Sequence, residues 1–416
     1  MTAMRQRQMF LLEQPGFGAR LREIRQARGM LQSELTGPGM SPAYLSRLES
    51  GNRPPTERAL AYLSDKLGVP AEIFRRDDPD EAAQQLAVAL SSSATEDIDI
   101  VPLLLRSLER PGAMDPALRW QALWILAETY SAQEDRDQEQ SVLRDLVALG
   151  TAIGNPRLEV RGRTRLARCL RDGGRLREAL GAARDAHALA VAAAMPPPDT
   201  ARALLALVLL EADTGRHNEA ASHTEELLAL TAALPLRLGA EALCTASTVR
   251  VRQKRHAEAV RLLEQALERL DPGAGPHSGD ILPWLRLRLA AAWLFLQMPP
   301  RGPAEAGRRL REAAPVVDLL GNAACRREFL LLRSYLAFHQ GDHTTARELC
   351  DRVGEDGGRL AFRDRIRLRA LRSQLALFHE HGERSVELTG LARQAERAGD
   401  VRLTAEDRRS AVLPTR

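Results

Sequence analysis

The chain has 416 residues, of which 44% are hydrophobic, 4% aromatic and 27% charged, with a formal net charge of +4. Such a length allows two or three domains, or one small domain plus a long repeat array, and the balance of charge argues against a disordered tail. Few aromatics beside abundant Ala, Leu and Arg, all helix formers, argue against a mainly β protein.

Lys66 and Lys254 are the only lysines, so the basic residues are almost all arginine, a bias that gives single arginines little functional weight. The longest apolar runs, Ala203–Leu210 and Leu289–Leu296, fall far short of a membrane span. The stretch Met9–Leu12 is too short for a signal peptide, and the chain is expected to stay in the cytoplasm. Cys169, Cys244, Cys325 and Cys350 lie far apart without a C-x-x-C pair, and read as reduced, buried small hydrophobes. Residues 1–75 hold eleven basic against seven acidic side chains, so the whole positive excess sits there. A small basic domain on a neutral body points to a polyanion at that end.

Five short helices are predicted over Phe17–Phe74. The first, FGARLREIRQAR, sets Phe17, Leu21, Ile24 and Ala27 at helical spacing and stops at Gly29. A second covers Leu31–Thr36 and ends at Gly37-Pro38-Gly39. Ser41 as N-cap and Pro42 at the first helical position open the third, which runs to Gly51. Thr56 caps a fourth that buries Leu60, Leu63 and Leu67, and a turn at Ala71–Phe74 closes the core. Two short helices joined by a tight glycine turn, the second strongly capped, make a helix-turn-helix.

The stretches LREIRQARGM, LQSEL, SPAYLSRLESGNRPPT and LSDKLGVP resemble the lambda-repressor-like (Xre-type) DNA-binding domain over roughly residues 16–75. The resemblance implies a third helix lying in the major groove of double-stranded DNA. It places Gln32 on a phosphate, Ser41, Pro42, Ala43, Ser46 and Arg47 at the groove, and Arg53 on the backbone beyond. Tyr44, Leu45 and Leu48 take core positions. The interval Leu35–Ser41 is one residue shorter than the family's, which alters the turn. The other reading is a five-helix bundle for protein contact.

Residues 76–99, acidic and polar, read as a linker between a domain at 1–75 and a repeat domain at 100–410. Past it, apolar helices alternate with polar turns whose closing alanines are Ala179, Ala220, Ala259, Ala306 and Ala346. A period near 40 extends back to Glu139 and forward to Val386, giving about seven hairpins, and helix–turn–helix units at that period stack into a solenoid. The expected fold is all-α: a five-helix domain followed by an α-solenoid.

Within the units, Leu123-x-x-Leu126-Ala127-x-x-Tyr130 and Leu166-Ala167-x-x-Leu170, with Gly174, Ala179 and Ala186, resemble the tetratricopeptide pattern. In such arrays the first helix of each hairpin lines a concave groove that binds extended peptides. Transferred here, that implies Gln121, Trp124, Glu128, Arg161, Thr164, Arg168 and Arg202, then Thr248, Arg252, Arg288, Phe295 and Tyr335. Trp124 can anchor an apolar side chain, and Arg161 with Arg168, two turns apart, suit a carboxylate. The alternative for each is packing or solvated surface.

No phosphate loop, dinucleotide fingerprint, zinc-protease or nucleophile-elbow motif stands in a fitting context, so no catalytic residue, metal ligand or cofactor is assigned. His339 with His343, and His379 with His381, read as turn and helix-end residues.

Together the two modules resemble the peptide-pheromone-responsive regulators of Gram-positive bacteria, which implies quorum sensing through a re-imported short peptide. The expected partners are an inverted-repeat operator, a peptide or partner protein in the groove, and a second copy of the chain. The rival reading keeps the DNA reader and makes the array a scaffold for assembly or protein contact without a small ligand. A third, a peptide-regulated phosphatase or kinase inhibitor, would not need the basic reader.

Overall fold

The computed structural model describes residues 14–74, 101–108, 115–271, 281–298, 302–355 and 360–377. Among the described residues there are helices and no strands, apart from an isolated bridge between Gly37 and Met40. None of these helices is long and apolar enough to cross a membrane. The chain divides into two compact units, Met1–Ala122 and Leu123–Arg416. The expected linker at 76–99 lies outside the described residues.

The first unit holds α1 (Gly16–Ala27), a 3₁₀ turn (Gln32–Leu35), α2 (Pro42–Glu49), α3 (Glu57–Leu67), a second 3₁₀ turn (Ala71–Phe74) and α4 (Val101–Leu108). The five segments expected between Phe17 and Phe74 are all present, two of them as single 3₁₀ turns. Phe17, Leu21, Leu35, Leu45, Leu48, Leu63 and Phe74 form the core of residues 17–74, with the Phe17 and Phe74 rings 5.2 Å apart. Ala27, expected inside, is exposed, and Met30 packs against that core instead. Gly29, at φ +66°, ends α1 in the left-handed region.

The short interval before α2 is a reverse turn. Gly37 and Met40 exchange both backbone hydrogen bonds, at 3.1 and 2.9 Å, across Pro38 and Gly39. Gly39 holds φ +87°, as the third residue of a type II turn requires. Met40 fills the core directly beneath it.

The second unit is a run of helix pairs. After α5 (Pro116–Ala132), which the unit boundary crosses, come α6 (Arg136–Ile153), α7 (Pro156–Asp172), α8 (Leu176–Ala192), α9 (Pro197–Asp213) and α10 (His217–Leu230). Next are α11 (Leu236–Arg252), α12 (His256–Arg269), α13 (Ile281–Leu296), α14 (Gly302–Leu320), α15 (Ala323–His339) and α16 (His343–Glu355). The helix α17 (Phe362–Leu377) opens a seventh pair; its second helix, expected near Val386, and the histidines 379 and 381 lie outside the described residues. Consecutive pairs pack together, and fully buried alanines such as Ala167, Ala179, Ala183 and Ala186 sit in the helix contacts, where a larger side chain would hold the helices apart.

Five of the pair turns share one backbone device. Glu134, Gly174, Gly215, Lys254 and Gly341 each hold positive φ. The residue after each donates its N–H to a carbonyl five positions back: Asp135 to Tyr130, Arg175 to Leu170, Arg216 to Glu211, Arg255 to Arg250 and Asp342 to Ala337. This six-to-one bond is the Schellman helix stop, and its recurrence produces the period.

The array also curls back on itself. Arg136 Nη1 donates to the Leu360 carbonyl at 2.8 Å, Arg327 pairs with Glu134, and Phe362 lies so close to Gly174 that a Cβ there would stand 2.6 Å from its ring. The sixth and seventh pairs therefore meet the first and second.

Gly18 sets how closely α1 approaches α2, since a Cβ on it would fall 2.2 Å from the Leu48 carbonyl oxygen. Gly18→Ala is expected to lower stability by about 1–3 kcal/mol, the usual cost of overpacking a core, read as a lower denaturant midpoint. An unchanged midpoint would show that α1 shifts freely.

Candidate nucleic-acid interface and concave groove

The helix α2 is positioned from three sides. Ser41 Oγ accepts the Tyr44 N–H at 3.2 Å and caps its start. Leu45 and Leu48 are buried beneath it. At its end, buried Glu49 takes Arg25 in a bidentate pair at 2.7 and 3.0 Å, with Arg22 Nε at 3.8 Å. Glu49 also raises the proton affinity of the Arg25 guanidinium, through their hydrogen bond first.

What remains outside is the predicted face: Ser41, Pro42, Ala43, Ser46 and Arg47 are exposed, and Tyr44 is half-buried. Arg53 is exposed and rests over the Tyr44 ring, its guanidinium carbon 5.0 Å from the centroid. Gln32, expected at a phosphate, donates its side-chain N–H to Glu49 at 3.1 Å, so one amide proton is held inside the domain. Among the described residues Arg47, Arg53, Arg58 and Lys66 make no ion pair, whereas Arg20, Arg22 and Arg25 do. Free cations and an exposed helix start suit phosphate and base-edge contacts.

Sequence reasoning missed Gln14. Its side-chain nitrogen donates to the carbonyls of Leu48 at 3.0 Å and Arg53 at 2.6 Å, and its oxygen accepts from the Gly18 N–H. One amide thus fixes the end of α2 relative to the loop that carries Arg53. Nothing in its local sequence announces such a long-range role.

In the second unit two adjoining cavities, of about 450 and 970 Å³, are lined mainly by the first helices of the pairs. Trp124, Glu128, Arg161, Thr164, Arg168 and Arg202 all line the larger one. Several are already engaged. Trp124 Nε1 donates to Glu128 at 3.0 Å, and Arg165 pairs with Glu128 at 3.1 Å while facing the indole. Buried Asp199 gathers Arg157 at 2.7 Å, Arg202 at 3.1 Å and Arg161 at 3.4 Å. Arg168 lines both cavities and makes no ion pair among the described residues.

Two expected groove residues are corrected. Arg288 is buried, stacked on Trp284 at 3.7 Å and paired with Glu312 at 3.2 Å. Phe295 belongs to the core. The face of α13 that lines the smaller cavity is Pro283, Arg286, Leu287, Ala290, Trp293 and Leu294. Two residues along a helix turn by about 200°, so Arg288 and Phe295 point away from it. Thr248 does line that cavity. Arg252 is instead paired with Asp213, and the Tyr335 hydroxyl donates to the Arg367 carbonyl behind Trp293. Gln121 lines neither cavity.

Fully buried Asp213 is the strongest charge focus of the array, with Arg252 at 2.5 Å, Arg171 at 2.7 Å and Arg363 at 3.4 Å. Burial opposes its ionisation, but these guanidiniums outweigh it and hold the carboxyl well below its ordinary value. Glu328 behaves in the opposite way: burial, then repulsion from Asp364, pushes it up to about 7. Asp172 is raised by the same causes, and confinement in the groove lowers the Arg168 guanidinium. The cysteines are free, and burial pushes the Cys169 and Cys244 thiols up to about 12, which makes them poor nucleophiles. No group of three or more metal-ligating side chains occurs among the described residues.

Glu328 gives the array a pH slope. A carboxyl near 7 in the folded chain and near its ordinary 4.5 in the unfolded chain favours folding fully below the lower value. That contribution is lost as pH rises toward the higher one. The melting temperature of Glu328→Gln is expected to exceed wild type at about pH 8 and to converge with it near about pH 5. Parallel melting curves across that range would contradict the assignment.

Residues 17–75 match the family described as a helix-turn-helix domain. No curated protein matches the chain. Among solved structures, a Rap protein complexed with Competence and Sporulation Factor is similar at 10% identity and a TM-score of 0.52, over 95% of this chain and 96% of that one. That likeness shows the fold, a helical-repeat array. The competence regulator ComR of Streptococcus vestibularis, in its apo form, aligns at 12% identity and TM-score 0.35 over 88% and 98% of the two chains. PlcR of Bacillus thuringiensis, in complex with the peptide PapR7 and DNA, aligns at 13% identity and TM-score 0.28 over 73% and 95%.

Proposed function

We propose that the protein is a DNA-binding transcriptional regulator whose repeat array senses a ligand, a short signalling peptide. The observation that carries the first half is the outer face of α2: exposed Ser46 and Arg47, with Arg53 beside it, on a helix-turn-helix scaffold in which Arg22 and Arg25 are tied to buried Glu49. The second half is supported by the concave cavities, which fall in the size range of small-ligand sites and are lined by charged side chains from several repeats. The Rap protein that shares the array fold is complexed with Competence and Sporulation Factor in its crystal structure.

Arg47 reads a base edge and Arg53 a phosphate. Arg47→Ala is expected to weaken the cognate site by about 1–3 kcal/mol and blur its sequence preference. Arg53→Ala weakens all duplexes alike and reduces the salt dependence of binding. Selection from random duplexes, followed by titration of both variants, checks this; the absence of any enriched motif would overturn the reader assignment.

A single helix-turn-helix covers few base pairs, so two copies are expected on an inverted repeat. Light scattering of the full chain with and without operator tests this, and a monomer at micromolar concentration in both states would contradict it. A regulator that binds DNA but responds to no peptide would leave the array as a scaffold.

A further inference from the structure

Arg53 stands where the backbone has little to hold it. The stop of α2 is closed by Gly51, which donates to the Leu48 carbonyl at 3.2 Å, and by Asn52, which donates to the Arg47 carbonyl at 2.9 Å. Among the described residues the next backbone-to-backbone hydrogen bond comes only where Leu60 donates to Thr56 at the start of α3. Pro54 and Pro55, in between, have no N–H to give. In this gap one hydrogen bond holds the Arg53 backbone among the described residues, from the Gln14 side-chain nitrogen to its carbonyl at 2.6 Å. Gln14 is itself fixed at its other end. Its oxygen accepts the Gly18 N–H at 3.0 Å in the first turn of α1, and its nitrogen also reaches the Leu48 carbonyl at 3.0 Å. Pro15 beside it lies so close to Gly51 that a Cβ there would stand 3.1 Å from the Pro15 Cβ. The helix that carries this brace is anchored in the core by fully buried Phe17 and Leu21.

We infer that Gln14 is a positioning residue for DNA binding, which acts through Arg53 by holding that residue's backbone where its guanidinium meets a phosphate. This rests on the reading of the domain as DNA-binding and of Arg53 as its phosphate contact. Ordering the backbone of a loop residue at the moment of binding costs conformational entropy. A tether already made in the free domain has removed that cost, so Gln14 adds affinity without a contact of its own. The phosphate is the same at every base step, so the gain is blind to sequence. Arg47 lies outside its reach, because capped and core-packed α2 places that side chain without help from the loop.

The test is a double-mutant cycle on the full chain, with Gln14→Ala and Arg53→Ala made singly and together. Each protein is titrated with the selected duplex and with an unrelated one over a range of salt, and circular dichroism confirms that it is folded at the titration temperature. Gln14→Ala is expected to weaken both duplexes by the same factor, roughly threefold to tenfold, and to leave the selected motif unchanged. Its salt slope becomes shallower by up to about one, the share of one phosphate. In the Arg53→Ala background Gln14→Ala has no further effect, whereas in an Arg47→Ala background its factor is undiminished. Gln14→Asn, whose amide is one methylene shorter, is run in parallel and is expected to repeat the pattern without emptying the position. A loss of equal size with and without Arg53, or an altered motif, overturns the proposal, since Gln14 would then act on α2 itself. Unchanged affinity in both Gln14 variants overturns it as well. Binding of no duplex by the wild-type chain overturns the DNA-binding reading, and the proposal with it.

Discussion

A buried carboxylate at a helix junction has to collect positive charge, and in this protein such junctions hold the working surfaces in place. Glu49 draws Arg25, Arg22 and Gln32 to the end of α2. Asp199 ties three arginines along one wall of the groove. Asp213 binds Arg171, Arg252 and Arg363 from three different helices. Removing the Asp213 carboxylate would strand Arg252, and in part Arg171 and Arg363, in low dielectric, which makes that junction the most cooperative. The arginine-rich composition, which gave single arginines little weight in the sequence, thus has a structural use: a planar guanidinium with several donors can bridge helices that a lysine would contact at one point.

The helical periodicity, the caps at Ser41 and Thr56 and the forty-residue spacing were legible because each is a local signal that the backbone obeys directly. So was the outer face of α2, since buried Leu45 and Leu48 leave little choice about which side faces out. The rest depends on contacts between distant residues. Gln14 acts on Leu48 and Arg53, more than thirty residues away, and its neighbours carry no trace of that. On α13 an error of two positions was enough to exchange the groove face, Arg286 and Trp293, for the core face, Arg288 and Phe295. That helix is apolar nearly all round, so its sequence pattern does not single out one side. The left-handed turn residues were visible where they are glycine and hidden at Glu134 and Lys254.

The array is not equally stiff throughout. Its successive pairs are joined by continuous apolar packing, as in the cluster that runs from Ala240 to Leu332. The closure between the last repeats and the first is made differently, by the Arg136 bond to the Leu360 carbonyl, the Arg327 to Glu134 and Arg363 to Asp213 pairs, and the Phe362 ring on Gly174. Polar contacts of this kind bury little apolar area and cost less to open than a packed core, so the closure is where the array yields first.

That difference defines what a groove ligand can do. A solenoid whose repeats each rotate slightly on their neighbours converts a small change at its closure into a larger change along its length. A ligand shifts that equilibrium only by the difference in its affinity for the open and closed forms. Contacts between neighbouring pairs away from the closure, such as the Trp124, Glu128 and Arg165 cluster of the first and second pairs, do not depend on it and favour neither form. The Arg136 bond to the Leu360 carbonyl and the Arg327 to Glu134 pair exist only when the closure is made. A molecule that touched both sides of the closure would therefore bias the array as well as occupy it, whereas one held on a single side would not.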